Sequence, residues 1–156
     1  MTSALLFAEM TEPQSALSFP EPLSERYRPS KIADFAGLND RVNAKGEVIP
    51  GPKSVLSGFV KSPRNAGFLF CGPAGTGKTS MALALATELQ AFRHHIPAGC
   101  CTVDKVREVV FSCWYVAPAG YKRHMIHIDE ADLMSPAAQN AILSYIDGTN
   151  TIPDCV

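Results

Sequence analysis

The sequence predicts an α/β fold organised on a parallel sheet, and three observations carry that prediction. Two short apolar runs, Ala66-Gly67-Phe68-Leu69-Phe70-Cys71 and His124-Met125-Ile126-His127-Ile128, have the length and composition of buried strands. Helical stripes alternate with them: Ala82, Leu85, Ala86 and Leu89 after the first run, and Val103, Val106, Val110 and Cys113 ahead of the second. A glycine-rich turn joins the first run to its helix. Strand–helix alternation of this kind places strands parallel, with helices packed on the sheet.

Each element has a local cause. Residues 1–22 carry Pro13, Pro20 and Pro22 with little periodicity and read as a flexible leader. Residues 23–156 read as one domain. Pro50-Gly51-Pro52 marks a loop. Lys53 to Lys61 then gives a short helix with Val55, Leu56, Phe59 and Val60 inward. The first strand spans about 66–71 and its helix about 78–91. His94-His95-Ile96-Pro97 gives a short strand. Thr102 is an N-cap, with Asp104 in the first turn of a helix running to Cys113. Pro118 and Gly120 sit in a loop over 116–123, ahead of the strand at 124–128. Ser135 caps and Pro136 starts a last helix with Ala138, Ile142, Tyr145 and Ile146 on its buried face, and Gly148 suits its end.

Composition bounds the function. The chain has 156 residues, 46% hydrophobic, with 14 basic and 15 acidic side chains and a net charge of −1. That is enough for one domain with a core, and it provides no global positive field for nucleic acid. No apolar run approaches a membrane span, and Glu9 and Glu12 interrupt an N-terminus that lacks a basic leader region. The expected location is cytoplasmic, with no membrane partner. Five cysteines, Cys71, Cys100, Cys101, Cys113 and Cys155, then imply reduced thiols. Zinc among His94, His95, Cys100, Cys101 and Cys113 is weighed and set behind buried free thiols, because the spacing fits no familiar zinc pattern.

The chemistry is concentrated in two places. Gly72-Pro73-Ala74-Gly75-Thr76-Gly77-Lys78-Thr79 matches G-x-x-x-x-G-K-[ST], the phosphate-binding P-loop, and Ser80 follows within the same cradle. Its glycines let backbone N–H groups turn towards a polyphosphate. Lys78 supplies a cation to the β- and γ-phosphates, and Thr79 offers a hydroxyl to Mg²⁺. The following helix aims the positive end of its dipole at the same place. The second place is Asp129-Glu130-Ala131-Asp132, delivered by the strand that ends at Ile128. There Asp129 is positioned to hold Mg²⁺ and Glu130 to polarise an attacking water. ATP and Mg²⁺ are the expected ligands.

Together these residues resemble the AAA+ ATPases of the clamp-loader group, which includes replication factor C subunits and the bacterial DNA polymerase III gamma/tau subunit. Three blocks carry the resemblance over about residues 24–156. They are Glu25-Arg26-Tyr27-Arg28-Pro29 with Asp34-Phe35-Ala36-Gly37-Leu38, the loop at Gly72–Thr79, and Asp129–Ser135 with Ala138-Gln139-Asn140-Ala141-Ile142-Leu143. The resemblance implies a three-layer α/β/α P-loop NTPase domain and ATP hydrolysis. It implies an adenine pocket bordered by Tyr27, Arg28, Pro29 and Gly37. It also implies a ring of AAA+ subunits with an arginine finger supplied in trans, acting with a sliding clamp and DNA. The alternatives are a non-hydrolysing nucleotide-binding fragment and a phage or mobile-element ATPase that loads no clamp.

The chain departs from the family pattern in identifiable ways. Ala74 replaces a proline, Leu38 replaces a glutamine, and no Lys or Arg occurs from Leu133 to Val156, where relatives carry phosphate-tracking cations. Family sheets have the order 5-1-4-3-2, and the sensor-1 strand would begin where this chain stops. The expectation is therefore a partial domain, from a longer protein or a truncated gene. Its strands at 66–71 and 124–129 would lack their shared neighbour, leaving the isolated chain unstable or its sheet rearranged.

Overall fold

The structure is a computed structural model that describes residues 22–146 and 155–156. The expected leader, apart from Pro22, and the helix end at Gly148 lie outside the described residues. In chain order the named elements are α1 (Leu23–Arg26), β1 (Arg41–Val42), β2 (Val48–Ile49), α2 (Pro52–Lys61), α3 (Lys78–Glu88), β3 (Ala91–Ile96), α4 (Val103–Cys113), β4 (Arg123–Ile128) and α5 (Pro136–Ile146). Short 3₁₀ turns lie at Ile32–Asp34, Ala98–Cys100 and Ala131–Leu133.

The centre is a parallel pair. β3 runs beside β4 in unbroken register from Ala91↔Arg123 to Ile96↔Ile128. Hydrogen bonds from Lys122 N–H to the Gln90 carbonyl (2.8 Å) and from Asp129 N–H to the Ile96 carbonyl (3.2 Å) extend it at both ends. Alternation sorts the side chains into two faces. Ala91 and Met125 join Met81, Leu85 and Leu89 of α3, together with Ile32, Leu56 and Phe59, in one core. Ile96, with half-buried Ile126 and Ile128, joins Val106, Val109, Val110, Cys113 and Ala138 of α4 and α5 in the other. Helices thus cover both faces of the sheet, the three-layer α/β/α arrangement the sequence implies.

On the free edge of β4, Cys155 bridges to His124 in parallel. Val156 N–H donates to the His124 carbonyl at 3.0 Å, and Ile126 N–H donates to the Val156 carbonyl at 2.8 Å. The order 91–96, 123–128, 155–156 is the one expected for this part of the sheet.

The expected strand at 66–71 is a correction. Among the described residues it joins no ladder, because Cys155 and Val156 stand on that side of β4 and none of their backbone bonds goes to 66–71. The Asn65 side chain, just ahead of the segment, ties in, its Oδ1 accepting the Cys155 N–H at 3.2 Å. The segment is held by its aromatic side chains. Phe68 packs edge-on to Phe59 at 4.8 Å and stacks with Phe70 at 6.4 Å. Its exposure alternates, with Leu69 80% exposed, so one face packs on the core and the other meets solvent.

Other boundaries shift for local reasons. α3 ends at Glu88, three residues short of the expected 91, and Gln90 turns the chain at φ 52. β3 then begins at Ala91 rather than His94, since β4 offers it six partners, and Pro97 lies just beyond its end. Val55 and Ile146 are exposed rather than inward. Val55 lies off the Leu56–Phe59 stripe of α2, and Ile146 leans towards the backbone of Gly67. The expected caps are present: Thr102 Oγ1 accepts Lys105 N–H and Ser135 Oγ accepts Ala138 N–H, both at 3.2 Å. The β1–β2 hairpin was not anticipated from sequence. It leads to Gly51, whose N–H donates to Asp40 Oδ1 at 2.7 Å.

Gly51 and Gly58 give opposite stability predictions. A Cβ at Gly51 would fall 2.3 Å from the Asn39 carbonyl oxygen, a backbone atom that cannot swing aside. Gly51→Ala should therefore lower stability by roughly 1–3 kcal/mol. Gly58 lies inside α2 with open space around its Cβ position, so Gly58→Ala should raise stability by about 0.5–1 kcal/mol. Urea denaturation followed by circular dichroism reads both; a neutral Gly51→Ala would contradict the close approach at Asn39.

Candidate functional site

The loop at 72–77 lies on the surface between the extended segment 66–71 and α3. Gly75 at φ 77 and Gly77 at φ 85 occupy left-handed conformations, and Gly77 serves as the N-cap of α3. A side chain at either position would strain the turn that aims the first amides of α3 at the loop's concave side. The loop is braced from within. Thr76 Oγ1 donates to the Pro73 carbonyl at 2.9 Å, and Lys78 Nζ donates to the carbonyls of Gly72 (2.9 Å) and Pro73 (2.8 Å). Pro73 and Ala74 are exposed, and Ser80 is half-buried in the first turn of α3.

Asp129 reaches the same place from β4. Asp129 follows the strand directly, its N–H tied to Ile96, and its carboxylate Oδ1 accepts the Thr79 hydroxyl at 3.3 Å. Two motif residues 50 positions apart in sequence are thereby brought together. A hydroxyl beside a carboxylate is an all-oxygen donor pair, which suits a hard divalent cation such as Mg²⁺. Glu130 is exposed and holds a left-handed backbone, φ 51 and ψ 51, unusual for a residue with a Cβ. That conformation costs on the order of 1–2 kcal/mol and turns the chain sharply out of the strand.

The N-terminal segment is anchored against α3. Ile32 is fully buried, and its N–H donates to Glu88 Oε1 at 2.6 Å. Lys53 Nζ donates to the carbonyls of Ala33 (2.8 Å) and Phe35 (2.7 Å). The buried Phe35 ring lies against Gly77, where an added Cβ would come within 3.4 Å of it. The residue this segment brings to the loop is therefore Phe35. Tyr27 is 73% exposed with the Arg26 guanidinium 5.8 Å from its ring centre, and Arg28 pairs with Glu25 at 2.6 Å. Pro29 is half-buried and Gly37 is an exposed turn residue at φ 75. Sequence reasoning missed Phe35 as the loop's neighbour, although its apolar character between Asp34 and Gly37 marked it for burial.

His127 lies in β4 two residues before Asp129. Burial lowers its pKa below the ordinary 6.5; the neighbouring Arg93 guanidinium and His95 push the same way, and Asp129 opposes. The hydrogen-bond geometry agrees. Arg93 Nη1 stands 3.0 Å from His127 Nδ1, and because a guanidinium can only donate, that ring nitrogen accepts.

Comparison with known proteins adds a family. Residues 68–154 match the profile described as "ATPase family associated with various cellular activities (AAA)". The replication factor C small subunit of Methanothermobacter thermautotrophicus is 32% identical over 127 residues, 78% of this chain and 36% of that protein. Replication factor C subunit 3 of Schizosaccharomyces pombe is 32% identical over 145 residues, 86% of this chain and 39% of that protein. Replication-associated recombination protein A of Escherichia coli K12 is 31% identical over 132 residues, 84% of this chain and 28% of that protein. The chain spans less than two fifths of the length of these relatives. Among the described residues, no helix is long and apolar enough to cross a membrane.

The depressed pKa of His127 predicts a sign. Its folded form is neutral and its unfolded form binds a proton near 6.5, so it contributes stability above that pH and the contribution fades as pH falls. Thermal melts from about pH 7.5 down to about 5.5 should show a shallower loss of Tm in His127→Asn than in the unaltered chain. Equal slopes would place the titration elsewhere.

Proposed function

Because the chain belongs to the ATPase family associated with various cellular activities (AAA), we propose that it binds ATP with Mg²⁺ at Gly72–Thr79 and hydrolyses the γ-phosphate bond, as the ATPase part of a clamp-loader-like subunit in DNA replication or repair. The observation that carries the reading is the Thr79–Asp129 contact, which joins the loop to the acidic pair. Mg²⁺, when bound, neutralises charge on the β- and γ-phosphate oxygens. Thr79 and Asp129 would hold it. The amides of residues 75–80 and the Lys78 ammonium would take the phosphate oxygens, in a cradle that Phe35 backs from behind Gly77. Glu130 would orient a water and accept its proton as that water attacks the γ-phosphorus. Tyr27, Arg28, Pro29 and Gly37 would border the adenine.

Two of the relatives bear the names of replication factor C subunits and a third is named replication-associated, which supports a multi-subunit replication or repair role. In that role neighbouring AAA+ subunits would form a ring, with an arginine finger supplied in trans. A sliding clamp and DNA are the proposed partners. Without Lys or Arg between Leu133 and Val156, DNA phosphate contacts would have to come from outside that stretch.

The roles separate by mutation. Lys78→Ala should weaken ATP binding at least tenfold by calorimetry, and unchanged affinity would remove the loop from the site. Asp129→Asn should abolish the tightening of nucleotide binding by Mg²⁺ while leaving metal-free binding near its starting value. Glu130→Gln should retain binding and lose phosphate release by roughly 10²-fold or more; release at the unaltered rate would take the general base away from Glu130. Retention of the chain on an immobilised sliding clamp with ATP, and not without it, tests the clamp-loader assignment separately from the ATPase.

A further inference from the structure

On the sheet face covered by α4, away from the P-loop, nitrogen and sulphur ligands converge. His94 comes from β3, His124 from β4 and Cys113 from the last turn of α4. One ligand atom from each lies within 4.8 Å of the other two. Cys113 is 1% exposed and His124 4% exposed, so the cluster is inside the core, and His94 forms its half-buried side. We infer that His94, Cys113 and His124 bind a zinc-class divalent ion, with the thiol of Cys155 as the fourth ligand.

Three features of the geometry support this. The first is the tautomer. His124 Nε2 stands 2.8 Å from the Tyr115 carbonyl, which can only accept, so Nε2 carries the proton and Nδ1 presents a lone pair. A backbone carbonyl orienting the far nitrogen of a histidine is the usual outer support of a metal-binding imidazole. The second is the spacing. His124 Nδ1 accepts a hydrogen bond from His94 Nε2 at 2.9 Å, so an ion taken here would replace that shared proton, with His94 keeping its other proton on Nδ1. Two nitrogens on a tetrahedral zinc stand about 3.3 Å apart, so accommodating the ion needs an opening of only a few tenths of an ångström. The third is the face. Cys155 pairs directly with His124 across the sheet, which puts its side chain on the same side, near the Cys113 thiol. Cys155 lies outside the 4.8 Å group as it stands, so a change in its side-chain torsion would bring the second sulphur to the ion. Two nitrogens and two sulphurs are a donor set of the structural zinc type.

Binding deprotonates the thiols it uses, and the ion would clamp α4, β3, β4 and the 155–156 bridge together. Zinc content and cobalt(II) spectra of the whole, reduced, nucleotide-free chain test this. Expected are stoichiometric zinc after removal of loosely held metal, and a cobalt(II) complex with a thiolate-to-metal charge-transfer band and strong tetrahedral d–d bands. An oxygen site at Asp129 would give no such charge transfer. Cys113→Ser should weaken the band, Cys155→Ser should weaken it in part, and Cys100→Ser should leave it unchanged. Because Cys113 is buried, His94→Asn at the half-buried side provides the second arm: cobalt affinity should fall at least tenfold while circular dichroism stays native. A chain without the charge-transfer band, or a band unmoved by both His94→Asn and Cys113→Ser, overturns the site. A band unmoved by Cys155→Ser removes Cys155 from it.

Discussion

The parallel pairing of β3 with β4 is the constraint on which everything else depends. It gives α3 a face to pack on through Ala91 and Met125, and gives α4 and α5 the opposite face through Ile96. It also fixes where β4 ends. Asp129 donates its N–H to Ile96, so the acid is delivered at the height where the first turn of α3 presents Thr79. If the ladder slipped by one residue, every side chain of β4 would change face and His124 would trade places with Met125.

The phosphate loop depends on that framework indirectly. The segment leading into it has no ladder of its own among the described residues and is held by Phe68 against Phe59 and by the core on the α3 side of the sheet. Support comes instead from the N-terminal side, where Lys53 pins the carbonyls of Ala33 and Phe35, and Phe35 braces Gly77. A glycine turn with left-handed φ values is thus positioned by one buried ring and one helix start.

Much of this was legible in the sequence, for physical reasons that can be named. Period and capping marked the starts of α4 and α5, because Thr102 and Ser135 act through local backbone chemistry, whereas Pro52, read as loop, opens α2 one residue ahead of the expected Lys53. The P-loop and acidic pair were legible because each residue type has a separate job at fixed spacing. The larger failures were non-local. Ala91 to Arg93 become strand because β4 provides partners, and 66–71 joins no ladder among the described residues. The ligand cluster was missed for the same reason. Closeness in sequence set His94 and Cys113 beside His95, Cys100 and Cys101, a set whose spacing fits no zinc pattern, whereas the β3–β4 register and the packing of α4 bring them to His124, 30 residues from His94.

The Lys78 ammonium does not wait free in solvent. It already spends its protons on the carbonyls of Gly72 and Pro73, in the same loop it is meant to serve. A phosphate arriving there enters an exchange of acceptors, trading two neutral carbonyl oxygens for anionic ones around a cation that is already held at the loop. The gain is the difference between the two partnerships, so the loop discriminates by the acceptor's charge: a neutral ligand of similar shape would offer Lys78 little that its own backbone does not.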